Sequence, residues 1–159
     1  MNNITPSVEL VLEKIGLNSA TIKSIQPRRK RSQYRAVFNW LTEYKPHANA
    51  SNLEIVKGYL EAFHHLCEVE DWERATTIID ITLNTPTNEK LRDLLGTWGY
   101  YQQQKEIFDR LLGKLNDEWQ LICLNGLGRY YYSTGRYEFA INYFNQSLVI
   151  AQKLSLIHI

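Results

Sequence analysis

G-R-Y-Y-Y-S-T-G-R-Y-E-F-A-I-N-Y-F, Gly128 to Phe144, packs five tyrosines, two phenylalanines and two arginines into 17 residues. Such a run is either an aromatic platform for a ligand or the way two helices hold each other. The polar S-T-G divides it into two helical stretches, so it reads as a helix hairpin. In a hairpin the first helix needs a residue without a side chain where the second crosses it, and Gly128 supplies one. The second helix offers small Ala140 there and large Phe144 a turn later; large against small is how an interior packs without voids. Tyr131 and Tyr137 bracket the turn and are expected to fill the wedge, their hydroxyls at the wet edge. The aromatics are structural first.

The hairpin has counterparts upstream, as a search for internal repeats shows. Sliding the chain by 33 residues and then by 32 aligns Glu73, Glu106 and Glu138, and with them Ala75, Phe108 and Ala140. The same offsets align Ile79, Leu112 and Phe144, and Leu95-Gly96 falls on Leu127-Gly128. Each copy is expected to be two helices split by a polar turn: E-V-E-D, Q-Q-Q and S-T-G. The copies are taken as residues 52–86, 87–117 and 118–153, after an N-terminal helical cap over 1–51.

Leu124, Leu127, Gly128, Tyr131, Gly135, Tyr137, Ala140 and Phe144 stand where a tetratricopeptide repeat has its large residue, Leu-Gly, Tyr, Gly-x-Tyr, Ala and Phe. The third copy therefore resembles that family, departing from it at Ser147 and Gln152. The other copies resemble it less closely: the first keeps Trp72 and Ala75 but has Ala62-Phe63 for Leu-Gly, and the second has Phe108 for the small residue. The resemblance implies an all-α, right-handed solenoid of helix hairpins. Residues L-E-A-F-H-H-L-C-E-V-E-D-W-E-R-A, with L-G-T-W-G-Y-Y after them, also resemble repeat regions of large bacterial, especially cyanobacterial, multi-repeat proteins. Those often carry a signalling ATPase or protease-like module, and none lies within this chain.

The rest of the chain is consistent with this. Gly (8) and Pro (4) only punctuate it, and no β alternation is convincing. Val8 to Ile15 carries helical periodicity stopped by Gly16, Asn18–Ile25 is a short second candidate, and Tyr34–Tyr44 is a third, ended by Pro46. Net charge is +1, which advertises no polyanionic partner or membrane surface. No apolar run reaches the ~18 residues of a membrane span, and the start of the chain lacks the marks of a signal peptide. Cys67 and Cys123 are expected to be reduced thiols in a cytoplasmic protein. The last six residues, L-S-L-I-H-I, translate a DNA string that resembles the end of a transposase-based sequencing adapter. Leu154–Ile159 are therefore expected to be read-through, and the chain a fragment.

No catalytic signature is present: phosphate-loop, H-E-x-x-H, C-x-x-C and G-x-S-x-G patterns are all missing. The expectation is a scaffold without catalytic residues, cofactor or metal. Glu61, His64, His65, Cys67 and Glu68 form the richest polar cluster, but a bundle di-metal site needs two Glu-x-x-His motifs and only one occurs. The basic segment Arg28–Arg31 reads first as a solvated charge run, with nucleic-acid binding as a minor alternative. The resemblance places the partner-binding groove on the first helix of each repeat: Ile122, Asn125, Arg129, Tyr132 and Ser133 in the third copy, and Lys57, Leu60, His64, Cys67 and Glu68 in the first. One of Tyr130 and Tyr132 is expected to face the next repeat and the other the groove. Asn125 and Arg129 share a helical face and suit a peptide, the amide meeting its backbone and the guanidinium a carboxylate. The expected partner is a protein or peptide. The alternatives are a sensor arm of a larger ATPase, and self-association through an exposed last helix showing Phe139, Tyr143 and Val149.

Overall fold

The structure, a computed structural model, describes residues 3–157 and is all-helical. Ten helices follow one another: α1 (Val8–Ile15), α2 (Ser19–Lys23), α3 (Arg28–Thr42), α4 (Asn52–Ile55), α5 (Lys57–Glu68), α6 (Trp72–Ile79), α7 (Leu91–Thr97), α8 (Tyr101–Leu111), α9 (Asp117–Ser133) and α10 (Tyr137–Ile157). Among the described residues the sole β feature is one isolated antiparallel bridge, Thr82 to Lys90. Two compact units divide the chain inside α7, one ending at Leu94 and the other starting at Leu95.

Local chemistry sets the helix ends of the N-terminal unit. Ser7 Oγ accepts the Leu10 amide to start α1, and Gly16 ends it at φ 64°, a conformation that costs glycine little. Capping boxes open α2 (Asn18 with Thr21) and α4 (Ser51 with Glu54). α3 differs from expectation at both ends. It begins directly after Pro27, so Arg28–Arg31 form its first turn rather than a lead-in, and it stops at Thr42, before Pro46. Pro27 is the N-cap, extended at ψ 175°, and its carbonyl accepts the Arg31 amide at 3.1 Å.

α3 packs on α5, and α5 on α6. Val37, Ala62, Phe63, Leu66, Ala75, Ile78 and Ile79 are wholly buried among them. The α3–α5 crossing is close because Gly58 has no side chain: a Cβ there would lie 2.8 Å from the Trp40 carbonyl oxygen. A polar node ties three helices together. The Tyr34 hydroxyl of α3 donates to Asp71 Oδ2 at 2.6 Å, and Arg74 Nη1 meets the same oxygen at 2.8 Å. Asp71 Oδ1 accepts the Arg74 amide at the start of α6, while Arg74 Nε donates to the Ile15 carbonyl at the end of α1. Burial, with the Asp71 hydrogen bond next, pushes the Tyr34 phenol up to about 12. Burial alone would raise the Asp71 carboxyl; the hydrogen bonds from Tyr34 and Arg74 outweigh it and hold the group below its ordinary value.

The C-terminal unit is built on the α9–α10 hairpin. Asn116 caps α9 through the Trp119 amide, and Gly135 at φ 78° turns the chain toward α10. Lys153 Nζ bonds Asp117 Oδ2 at 2.8 Å, tying the late part of α10 to the start of α9. Gly128 is the close crossing the sequence suggested: a Cβ there would come 2.6 Å from the Phe144 ring, while Ala140 is buried beside it. Leu127 and Leu95 are fully buried as well. α8 packs on α9 by the same device in a place not anticipated. The wholly buried Phe108 ring occupies the space a Cβ on Gly126 would need. The large residue at the small position of the second copy is thus received by a glycine on the next helix.

Two turn readings change. Q-Q-Q lies inside α8; the turn before it is at Gly99, φ 86°, where a side chain would be strained. Tyr137 does not fill the hairpin wedge. Its ring meets Tyr132 edge-on, and Phe139 stacks against Tyr131 instead. α10 continues through the suspected read-through as far as Ile157; His158 and Ile159 lie outside the described residues.

Two outcomes follow for stability. Alanine gains about 1 kcal/mol over glycine in a helix interior, and overpacking a core costs about 1–3 kcal/mol. Gly126→Ala should be destabilising by about 2 kcal/mol in urea unfolding, because Phe108 has nowhere to go, whereas Gly128→Ala should stay within about 1 kcal/mol, because Phe144 is 36% exposed and can swing outward. Equal losses would refute this account of the two crossings. Tyr34→Phe should cost about 2 kcal/mol at neutral pH, a buried hydrogen bond to a charged group. A phenol that holds its proton more tightly folded than unfolded contributes stability below pH 10 that is lost as pH rises from 10.0 toward about 12. Thermal melts across that window should therefore fall less steeply for Tyr34→Phe than for the parent.

Candidate functional site

α9 sorts its residues by face. Cys123, Leu124, Gly126, Leu127 and Gly128 are buried, and Arg129, Tyr132 and Ser133 are exposed, with Asn125 half-buried beside them. Asn125, Arg129 and Tyr132 recur at four and three residues, so they line one outward strip about 10 Å long at 1.5 Å per residue. The Arg129 guanidinium forms no ion pair among the described residues. Ser133 is less available than its position suggested, since its hydroxyl donates to the Tyr130 carbonyl of its own helix at 2.8 Å. Tyr132, 63% exposed, meets Tyr137 edge-on with ring centroids 5.4 Å apart. These two form the outward aromatic pair at the end of the strip.

The remaining aromatics turn the other way. Tyr131 is sandwiched between Phe139 at 5.3 Å and Tyr143 at 5.4 Å, the latter parallel within 3°. Lys105 of α8 lies 5.6 Å from the Tyr130 ring and bonds Asp109 at 2.6 Å, while the Tyr130 hydroxyl donates to Gln102. Arg136 sits 5.8 Å from both the Tyr131 and Phe139 rings. Tyr130 is therefore spent on α8, in the preceding copy and not the next one, and Tyr132 is the one that faces outward. Offset stacking and cation contacts of this kind hold helices together and leave no open platform for a ligand.

In the N-terminal unit, Lys57 and His64 lie two turns apart on one face of α5, near Glu68. Leu60 and Cys67, expected beside them, are buried, because their side of α5 carries core contacts. Lys57 Nζ sits 5.6 Å from the Trp40 ring, and His64 packs edge-on against Phe63 at 5.2 Å. His65 Nδ1 pairs with Gln33 Oε1 at 2.7 Å. Among the described residues no group of three or more His, Cys, Asp or Glu side chains could hold a metal ion. The groove residues on α5 and those on α9 fall in separate units. A cleft of about 390 Å³ runs between the segment before α1 and the α3–α5 crossing. Lys45 and His47 are among its lining residues, and no carboxylate lines it.

Residues 99–153 match the family model described as Tetratricopeptide repeat. The match takes in α8, α9 and α10 as far as Lys153, about a third of the chain, and supports a repeat of this type there. It reaches one helix upstream of the strongest motif, to the Gly99 turn, and so includes the Phe108–Gly126 contact. No curated protein and no solved structure matches the chain. No helix among the described residues is long and apolar enough to cross a membrane.

Proposed function

We propose that the chain is a non-catalytic scaffold that holds an extended peptide on the outward strip of α9. The observation that supports this most is the exposed Arg129 guanidinium, one turn from the Asn125 amide and next to the Tyr132–Tyr137 pair. Repeats of this type generally mediate protein–protein interaction, and their curved surfaces serve as extended binding faces. Arginine takes a carboxylate bidentately, asparagine satisfies a peptide N–H and C=O together, and a tyrosine pair covers an apolar side chain with little rotamer loss. Lys57 and His64 are the corresponding positions of the N-terminal unit. A regulatory arm of a larger ATPase would use the same strip.

The test is selection from a random peptide library with free C-terminal carboxylates. Asn125→Ala combined with Arg129→Ala should weaken the selected peptides at least about tenfold, from the Arg129–carboxylate bond at about 1.5–3 kcal/mol and the neutral Asn125 bonds at about 0.5–1.5 kcal/mol each. The melting temperature should move by no more than a few degrees, because Arg129 is exposed and Asn125 only half-buried. Unchanged affinity removes the assignment.

A second reading has its own support. From Lys14 to Thr42 the sequence holds seven Lys and Arg and no Asp or Glu, and four of those seven crowd the first turn of α3. Cations there oppose the helix dipole, so the arrangement costs stability and invites a polyanion such as nucleic acid. Anisotropy with a single-stranded RNA probe should then show binding at low salt that falls steeply as salt rises. Arg28→Glu with Arg29→Glu should abolish that binding and raise the melting temperature. No binding at low salt dismisses this reading.

A further inference from the structure

We infer that the cleft between the stretch before α1 and the α3–α5 crossing is a binding site for a small aromatic carboxylate. Its volume, about 390 Å³, falls within the ~300–1,000 Å³ of small-molecule sites, which are mostly apolar with a few placed polar groups. Every lining residue belongs to the N-terminal unit, so the site is separate from the α9 strip and from any peptide held there. The sequence anchors the lining from three sides. At the crossing, Gly58 brings α5 onto the Trp40 carbonyl oxygen. Past the end of α3, the Tyr44 hydroxyl donates to the Glu54 carbonyl at 2.7 Å. Before α1, the Ile4 carbonyl accepts the Asn84 amide at 2.7 Å, and Asn3 Oδ1 accepts both the Thr5 amide and the Thr5 hydroxyl. A lining held in this way is set before a ligand arrives, which lowers the ordering cost of binding.

The chemistry of the ligand follows from the lining. Trp40, Tyr44 and Tyr59 contribute aromatic rings, the first two tilted by 52° with centroids 5.6 Å apart. Ile4, Val8, Leu41 and Ile55 contribute aliphatic surface. A flat ring gains from aromatic neighbours beyond its buried area and, unlike an alkyl chain, has no rotamers to lose. The charge of the cleft is one-sided. Lys45 and His47 are both exposed, neither forms an ion pair among the described residues, and no Asp or Glu lines the cleft. Burial pushes the Tyr59 phenol up, so that group stays neutral and brings no negative charge of its own. A neutral ligand would leave the Lys45 ammonium unanswered, and a carboxylate answers it with a charge-assisted hydrogen bond.

Calorimetry on the full chain should show a single site for naphthoate. Neutral naphthamide should bind about fivefold more weakly, the worth of a half-wet charge pair. Decanoate, a flexible acid, should also bind more weakly than naphthoate. Nuclear magnetic resonance reads the location. Of the four tryptophans Trp40 alone lines the cleft, so naphthoate should move its indole N–H resonance and leave those of Trp72, Trp98 and Trp119 in place. Lys45→Ala with His47→Ala should remove the preference for the acid while naphthamide binding stays unchanged. Ala48→Trp, at an exposed lining position, should block both ligands without moving the melting temperature. Absence of binding, or movement of another tryptophan resonance in place of that of Trp40, overturns the site. Equal affinity for acid and amide overturns the charge assignment, and tighter binding of decanoate overturns the aromatic one.

Discussion

The C-terminal unit depends on aromatic rings laid against bare backbone. Phe108 of α8 rests on Gly126, and Phe144 of α10 rests on Gly128, so two rings approach α9 within three residues of each other. Each contact brings its partner helix closer than any side chain at the glycine would permit, and each buries aromatic area that would otherwise lie a side-chain length away. α9 is thereby gripped from two directions. The direction left over is the strip of Asn125, Arg129 and Tyr132, whose side chains are polar or amphipathic as a solvent-facing strip requires. The outward site on α9 is thus a geometric consequence of where its glycines are.

The N-terminal unit solves the same problem with different chemistry. Gly58 lets α5 approach the α3 backbone itself, at Trp40, so the close contact is to a carbonyl oxygen and not to a ring. What α3 lacks in interdigitation it recovers in the polar node, where Tyr34, Asp71 and Arg74 satisfy one another and reach the last carbonyl of α1. Asp71 there serves both as helix cap and as ion-pair partner. Low local dielectric makes such a network strong when complete and costly when broken. The node reaches α1, α3 and α6; the four-residue α4 is tied separately, by the Tyr44 hydroxyl donating to the Glu54 carbonyl at 2.7 Å.

Helix periodicity, Gly16, Gly128 and the S-T-G turn were all legible because each rests on interactions within a few residues or on a repeating spacing. The third-copy motif made Leu127, Ala140 and Gly128 interpretable before any coordinates. Gly126 was equally visible, and its reason was present in the alignment: Phe108 occupies a position filled by alanine in both other copies, so its ring must displace something on a neighbouring helix. What stayed out of reach was the direction of each displacement. Tyr137 and Phe139 differ by two positions and are both aromatic, and only the packing decides that Phe139 joins Tyr143 around Tyr131. The Tyr34–Asp71–Arg74 node joins residues 37 apart with no local pattern to announce it. Leu60 and Cys67 failed as groove positions for a related reason, since the first copy departs from the motif at Ala62-Phe63 and its α5 buries a broader face.

The α9–α10 hairpin presents two unlike outer surfaces. α9 shows a guanidinium, an amide and a phenol, while α10 shows a seam of apolar side chains without charge over 14 residues. Two surfaces of such different chemistry compete poorly for one ligand. An extended peptide needs hydrogen-bond partners for its backbone, and α10 offers few; a helix face needs apolar area, and α9 offers little beyond Tyr132. Tyr132 and Tyr137 are where the surfaces touch, each ring meeting the other's edge at the hairpin end. A partner bound along α9 that covers Tyr132 would also meet Tyr137, whose ring lies 5.4 Å away at the start of α10.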